Sequence, residues 1–67
     1  MEANFIVLLD YCNSEIIKIR LSEAEKIAMD GFKDMEEFLL TLEGRYGFRL
    51  NNCCWMACGD LSERSFS

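Results

Sequence analysis

The chain has 67 residues, of which 51% are hydrophobic and 28% charged, and its formal net charge is −5. A chain of this length forms one small domain of marginal stability, and its apolar content is too high for intrinsic disorder. Its longest unbroken apolar runs, residues 5–9 and 53–58, are far short of the roughly 20 residues of a membrane-spanning helix, so no membrane partner is expected. We predict a single domain over residues 1–59 and a short tail over residues 60–67.

The negative charge is concentrated in the middle of the chain. Residues 22–43 contain seven acidic residues and two lysines, a balance that equals the whole net charge of −5. Affinity for a nucleic-acid backbone depends on Lys and Arg that neutralise phosphates, so no direct nucleic-acid binding is expected. No basic leader precedes the first apolar run and no small-residue cleavage site follows it, which favours a cytoplasmic location.

Residues 4–12 and 15–21 predict a β-hairpin. The first segment is apolar and rich in strand formers, and the second alternates apolar and polar residues with a period of two. The preferred loop has three residues, 12–14, with Asn13 in the left-handed conformation. The predicted core face then consists of alternate residues of both strands: Phe5, Val7, Leu9, Tyr11, Ile17, Ile19 and Leu21. A two-residue turn at Asn13-Ser14 would invert the first strand and place Ile6 and Leu8 inward instead.

The segment after the hairpin predicts a short first helix. Ser22 and Glu25 have the spacing of a capping box, and Gly31 is a suitable left-handed stop. The expected apolar stripe, at i, i+3 and i+4, is Ala24, Ile27 and Ala28.

A second helix is predicted to start at Asp34, which precedes Glu37 by three residues. Arg45 suits the negative end of the helix dipole, and Gly47 is the expected left-handed residue after the last turn. The apolar stripe is the clearest pattern of the chain: Met35, Phe38, Leu39, Leu42 and Tyr46. A single helix that runs through Gly31 is the alternative.

Residues 53–58 follow the turn-like pair Asn51-Asn52 and predict a third strand that is apolar on both faces. The element order is therefore β-β-α-α-β. Pairing of the third strand beside the first gives a three-stranded, mainly antiparallel sheet in the order 2-1-3, with two helices on one face. The predicted fold class is an α+β two-layer sandwich.

In the preferred register, the sheet face away from the helices is apolar. It carries Ile6, Leu8 and Ile16 with one of two sets from the third strand, either Trp55, Cys53 and Ala57 or Met56, Cys54 and Cys58. An exposed apolar patch marks an interaction site, and we predict an isologous homodimer interface. The residues predicted to form this interface are Ile6, Leu8, Ile16 and Trp55. Alternatively, the tail, with Leu61 and Phe66, folds under the sheet and covers this face.

The predicted second helix carries several acidic side chains. Four of them form the candidate acidic face: Asp34, Glu36, Glu37 and Glu43. Carboxylates in a first helical turn are favoured by the helix dipole, so a solvated helix face explains most of them. The alternative function follows from the same residues: an acidic inhibitor or regulator that binds a basic, nucleic-acid-binding partner through the helix face.

The sequence contains no arrangement typical of catalysis or metal binding. There is no histidine and no Cys-x-x-Cys pair, and Cys54 and Cys58 in one strand would lie about 13 Å apart. Cys12 has Asp10 and Glu15 as neighbours, which disfavour its thiolate. The cysteines are expected to be free and buried. We predict no enzyme activity, no metal and no cofactor, but a protein-interaction module that associates with itself.

Overall fold

A computed structural model describes residues 3–66. The elements are β1 (Phe5–Asp10), β2 (Glu15–Arg20), α1 (Glu23–Asp30), α2 (Met35–Tyr46) and β3 (Cys53–Cys58), with a short 3-10 helix at Leu50–Asn52. The strands form one antiparallel sheet in the order β2-β1-β3. The predicted α+β fold, its two separate helices and its strand order are confirmed. Met1, Glu2 and Ser67, which the predicted domain and tail include, lie outside the described residues.

The core lies between one face of the sheet and the two helices. Its largest fully buried side chains come from the central strand and the longer helix: Ile6 and Leu8 of β1, and Phe38 and Leu39 of α2. Ile19 of β2, Met29 of α1 and Leu42 of α2 complete the same cluster, and Trp55 of β3 packs against it. The helices therefore cover one face of the sheet and leave the other uncovered by regular structure.

The hairpin loop has four residues, 11–14, where three were predicted. The ladder pairs Asp10 with Glu15 and Leu8 with Ile17. Because side chains alternate along a strand, a loop with an even number of residues reverses the parity expected for three. The predicted core face of β1 is therefore wrong. The left-handed residue is Ser14, with φ 52°, and not Asn13.

Asp10 determines this loop length. Its Oδ1 accepts hydrogen bonds from the backbone N–H groups of Cys12 and Asn13, at 2.9 and 3.0 Å, and its Oδ2 accepts from the Asn13 side-chain amide at 2.9 Å. The bonds from Asn13, with a smaller contribution from Cys12, hold the pKa of Asp10 below its ordinary value, although burial opposes them. Asp10 is 4% exposed and satisfies two loop amides that would otherwise lack partners.

Helix α1 begins with the predicted capping box. Ser22 accepts a bond from the Glu25 N–H at 3.2 Å, and the Glu25 carboxylate accepts one from the Ser22 N–H at 2.8 Å. The expected apolar stripe is wrong, however, because the buried residues of α1 are Glu25 and Met29. The exposed residues include all three predicted to be inward: Ala24, Ile27 and Ala28. Gly31 ends the helix in a right-handed conformation, with φ −82°.

The rotation of α1 follows from bonds between Glu25 and the end of α2. Glu25 Oε2 accepts from the Tyr46 hydroxyl at 2.6 Å and from Arg45 Nη1 at 3.0 Å. Burial raises the pKa of Glu25, but the bonds from Ser22, Tyr46 and Arg45 outweigh it and hold that pKa below its ordinary value. Because Glu25 bonds to Arg45, 20 residues further along the chain, the face of α1 that carries Glu25 points toward α2.

Helix α2 follows most of its sequence pattern. Phe38, Leu39 and Leu42 are buried and Met35 is half-buried, but Tyr46 is exposed. Asp34 is the N-cap, although its side chain makes no capping hydrogen bond. Gly47 is left-handed, with φ 76°, and its N–H donates to the carbonyl of Glu43, as predicted.

Candidate functional site: the open face of the sheet

We call the sheet surface away from the helices the open face. The observed pairing places three cross-strand rows on it: Ile16, Leu9 and Cys54; Lys18, Val7 and Met56; and Arg20, Phe5 and Cys58. Seven of these nine side chains are apolar, and the two charged ones are both basic and both on β2. This face therefore has the apolar character that the sequence indicated, although most of its residues differ from those predicted.

The exposed part of the open face lies toward the hairpin loop. Ile16 is 67% exposed, Met56 51% and Leu9 44%, and Cys54 beside them is also exposed. Tyr11, in the adjoining loop, is 70% exposed. We call these five residues the hairpin-end patch. Contiguous exposed apolar side chains of this kind mark a contact surface.

The corrected register changes the predicted interface. Ile6 and Leu8 are 0% exposed and lie in the core beneath the helices, so they cannot contact another molecule. Trp55 is half-buried on the helix face of β3, because Met56 and its alternate neighbours point to the open face. Only Ile16 lies where the predicted interface placed it. Leu9 was missed because its assignment depended on the parity of the hairpin loop.

The tail reaches the open face at Lys18 without covering the patch. Glu63 forms an ion pair with Lys18, and Leu61 is half-buried. Phe66, the other residue expected to seal the sheet, is 81% exposed. Since Leu9, Ile16 and Met56 stay exposed with the tail in place, the alternative of a face covered by the tail is wrong for this end of the sheet.

The four cysteines are free, but none of them is fully buried, contrary to expectation. Cys12 and Cys54 are exposed, while Cys53 and Cys58 are half-buried. Burial, and the negative charge of Asp10 and other neighbours, raise the pKa of the Cys53 thiol, which makes it a poorer nucleophile at neutral pH. Hydrogen bonding to Cys54 raises the pKa of the Tyr11 hydroxyl. Within residues 3–66 no three Cys, Asp or Glu side chains are grouped to hold a metal ion.

The predicted acidic residues divide into two places on α2. Asp34, Glu36 and Glu37 are exposed at its start. Glu43 is half-buried near its end, where its carboxylate accepts a bond from the Leu50 N–H at 2.6 Å. Glu43 therefore holds the connection to β3 in place, and three carboxylates remain for contact with a partner.

Comparisons of the chain with protein-family models, with curated proteins and with solved structures found no match. Neither helix in residues 3–66 combines the length and the apolar content needed to cross a bilayer.

Proposed function

We propose that this protein is a small, non-enzymatic interaction module that associates with a second copy of itself through the open face. The observation that supports this proposal is the exposure of Leu9, Ile16 and Met56 on a face that no helix covers. Two such faces shield each other from water when they pack about a two-fold axis, which is the commonest symmetry of soluble homo-oligomers.

The positions of the basic residues favour one orientation of that axis. With the axis parallel to β1, Leu9 lies on the partner's Leu9 and Ile16 on the partner's Cys54, since β2 of each copy crosses β3 of the other. Lys18 then lies against the partner's Met56. With the axis across the strands, β2 would lie on the partner's β2, and Lys18 and Arg20 of both copies would come together. Like charges in apposition are unfavourable, and Glu63 offsets the charge of Lys18 but not that of Arg20, so we choose the parallel axis.

The area of the face predicts a weak dimer. Each strand has six residues, which gives a footprint about 20 Å long and 14 Å wide, or about 600 Å² for both copies. Burial of that area at about 25 cal/mol/Å² contributes on the order of 15 kcal/mol, and association costs roughly 4–15 kcal/mol. The total is below the 1,200 Å² or more of a typical stable interface, so we expect a dissociation constant in the micromolar range.

Sedimentation equilibrium over a concentration series tests the proposal. We expect the wild type to change from monomer to dimer as its concentration rises through the micromolar range. The variant Ile16→Lys should weaken the dimer about tenfold or more, because it buries an unpaired charge in the contact. The matched control is Ile27→Lys, since Ile27 is equally accessible, at 73% against 67%, but lies on α1.

Three outcomes would contradict the proposal. The first is a wild type that stays monomeric at high micromolar concentration under reducing conditions. The second is equal weakening by Ile16→Lys and Ile27→Lys, which would move the contact away from the sheet. The third is association that continues beyond a dimer, because two open faces packed about a two-fold axis form a closed pair.

A further inference from the structure

The outer edge of β3 carries backbone groups without partners. β3 is an edge strand that pairs with β1 alone, and the Tyr11 N–H donates to the Asn52 carbonyl at 3.0 Å. Since hydrogen-bonding directions alternate along an antiparallel strand, this bond directs the N–H and C=O groups of Trp55 and Ala57 away from β1. In the part of the chain that the structure describes, no backbone hydrogen bond reaches those groups.

The two edges of the sheet differ in how they resist an added strand. β2 carries Glu15, Lys18 and Arg20, and charges of this kind keep other strands from pairing. β3 has the sequence CCWMAC, without a charged residue or a proline. Its six residues are therefore the edge of this molecule that is suited to accept a further strand.

A cavity beside this edge determines what kind of strand fits. It measures about 340 Å³, opens to solvent and is lined by Trp55 of β3 and by Asp34, Met35 and Glu36 at the start of α2. In a sheet, residues directly opposite each other on neighbouring strands project to the same face. The residue of an added strand opposite Trp55 would therefore project into this cavity, next to two carboxylates. Neither carboxylate forms an ion pair within residues 3–66.

We propose that the β3 edge binds an extended segment of another protein, in which one Lys or Arg is flanked by apolar residues. The segment pairs with the outward backbone groups of Trp55 and Ala57. Its basic side chain lies in the cavity between the Trp55 ring and the carboxylates of Asp34 and Glu36, where cation–π and ionic attraction act together. The flanking apolar side chains lie on the opposite face, beside Cys54 and Met56.

A second copy of β3 is a less suitable occupant. Pairing of two β3 edges about a two-fold axis would bring Asp34 and Glu36 of both copies to the same seam, on the helix side of the joined sheet. Four carboxylates in that position repel one another, whereas a basic side chain from another protein is attracted to both carboxylates of one copy and offsets one of their two charges. This inference does not depend on dimerisation, because packing of two open faces leaves the β3 edge free.

The binding test uses a blocked synthetic peptide in which a single arginine is flanked by valines. Trp55 is the one tryptophan of the chain, so its fluorescence reports on the edge directly. We expect saturable binding that weakens with added salt, and binding about tenfold or more weaker when the amides facing β3 are N-methylated. The methylated peptide retains every side chain, so the comparison isolates strand pairing.

Two pairs of variants separate this site from general charge attraction. Glu36→Lys should weaken peptide binding about tenfold, whereas Glu37→Lys, with the same change in net charge but outside the cavity, should alter it less than about threefold. Ala57→Pro removes an outward N–H donor and should weaken binding, while Ala57→Ser keeps the donor and should not. Circular dichroism establishes that each variant is folded.

The proposal is overturned if the N-methylated peptide binds as well as its parent, or if Glu36→Lys and Glu37→Lys weaken binding equally. Amide chemical shifts supply an independent readout, which does not require any variant to fold. Peptide-induced shifts centred on residues 53–58 support the proposal, and shifts centred on β2 overturn it. In the absence of peptide, shifts that grow with protein concentration at β3 but not at Leu9 and Ile16 would show self-pairing of the edge instead of packing of two open faces, which also overturns it.

Discussion

At the scale of single residues, Glu25 is one of the two buried carboxylates in residues 3–66, together with Asp10. It is 5% exposed, and its carboxylate accepts hydrogen bonds from the Ser22 backbone, from Arg45 and from Tyr46. A carboxylate removed from water in this way stabilises the fold only while its partners are in place. The start of α1 and the end of α2 are therefore linked through one side chain.

Replacement of this carboxylate should lower stability in a pH-dependent way. Glu25→Gln is expected to lower the free energy of unfolding by about 1–3 kcal/mol at neutral pH, because it weakens several charge-assisted bonds. The folded-state pKa of Glu25 lies below its ordinary value of 4.5, so the wild type has this stabilisation above pH 4.5 and loses it as pH falls through the folded-state pKa. Urea unfolding curves at several pH values should show the two proteins converging in acid.

The control for this prediction is Glu23→Gln on the same helix. Glu23 is 88% exposed and lies 3.6 Å from Lys26, so its loss should change stability by less than about 0.5 kcal/mol. A difference between wild type and Glu25→Gln that stays constant down to pH 3 would show that the buried carboxylate is not the group responsible.

At the scale of elements, α2 contains two glycines with opposite expected effects. Gly44 lies within the helix, and a Cβ added there would meet no atom within 4 Å. Gly44→Ala should therefore stabilise the protein by about 0.5–1 kcal/mol. Gly47 has φ 76°, so Gly47→Ala should destabilise it by about 1 kcal/mol, because alanine rarely adopts the left-handed conformation. Urea denaturation of both variants, followed by Trp55 fluorescence, measures the pair, and effects of the same sign would contradict it.

Elements with strong local patterns could be predicted from the sequence, and those fixed by distant bonds could not. The apolar stripe of residues 35–46 predicts helix α2, and the uncharged run of residues 53–58 predicts strand β3. The register of β1, in contrast, depends on one residue of loop length, which the bonds between Asp10 and Asn13 decide. The rotation of α1 depends on Glu25 and its partners 20 and 21 residues away, which no local periodicity contains.

The same distinction applies to the candidate site. The apolar character of the uncovered sheet face follows from composition, because β1 and β3 are apolar on both faces and two short helices cover only one. The residues that form that face depend on the hairpin register. A predicted loop one residue too short placed Leu8 on the open face, where the structure has Leu9. The edge cavity beside Trp55 could not be predicted, since it requires the start of α2 to lie over β3.

At the scale of the whole molecule, charge and apolar surface are separated. The open face has two basic residues and no acidic one, so the remainder of the chain carries the other five basic residues and all twelve acidic residues. The strands of two open faces can therefore approach each other without opposing carboxylates, and the tail carboxylate that reaches this face, Glu63, is paired with Lys18. The one electrostatic requirement is that Lys18 and Arg20 of the two copies stay apart, and the parallel axis satisfies it.

That axis makes a prediction for thiol crosslinking. Ile16 should lie over the partner's Cys54, so Ile16→Cys treated with a short thiol-to-thiol crosslinker should form a covalent dimer on a denaturing gel, because the crosslinker spans the roughly 10 Å between sheets packed face to face. Removal of the acceptor in Ile16→Cys/Cys54→Ser should abolish that band. Ile27→Cys, equally exposed on α1, should not crosslink above the wild-type background. A dimer seen by sedimentation in which Ile16→Cys fails to crosslink would exclude the parallel axis while leaving the open face as the contact.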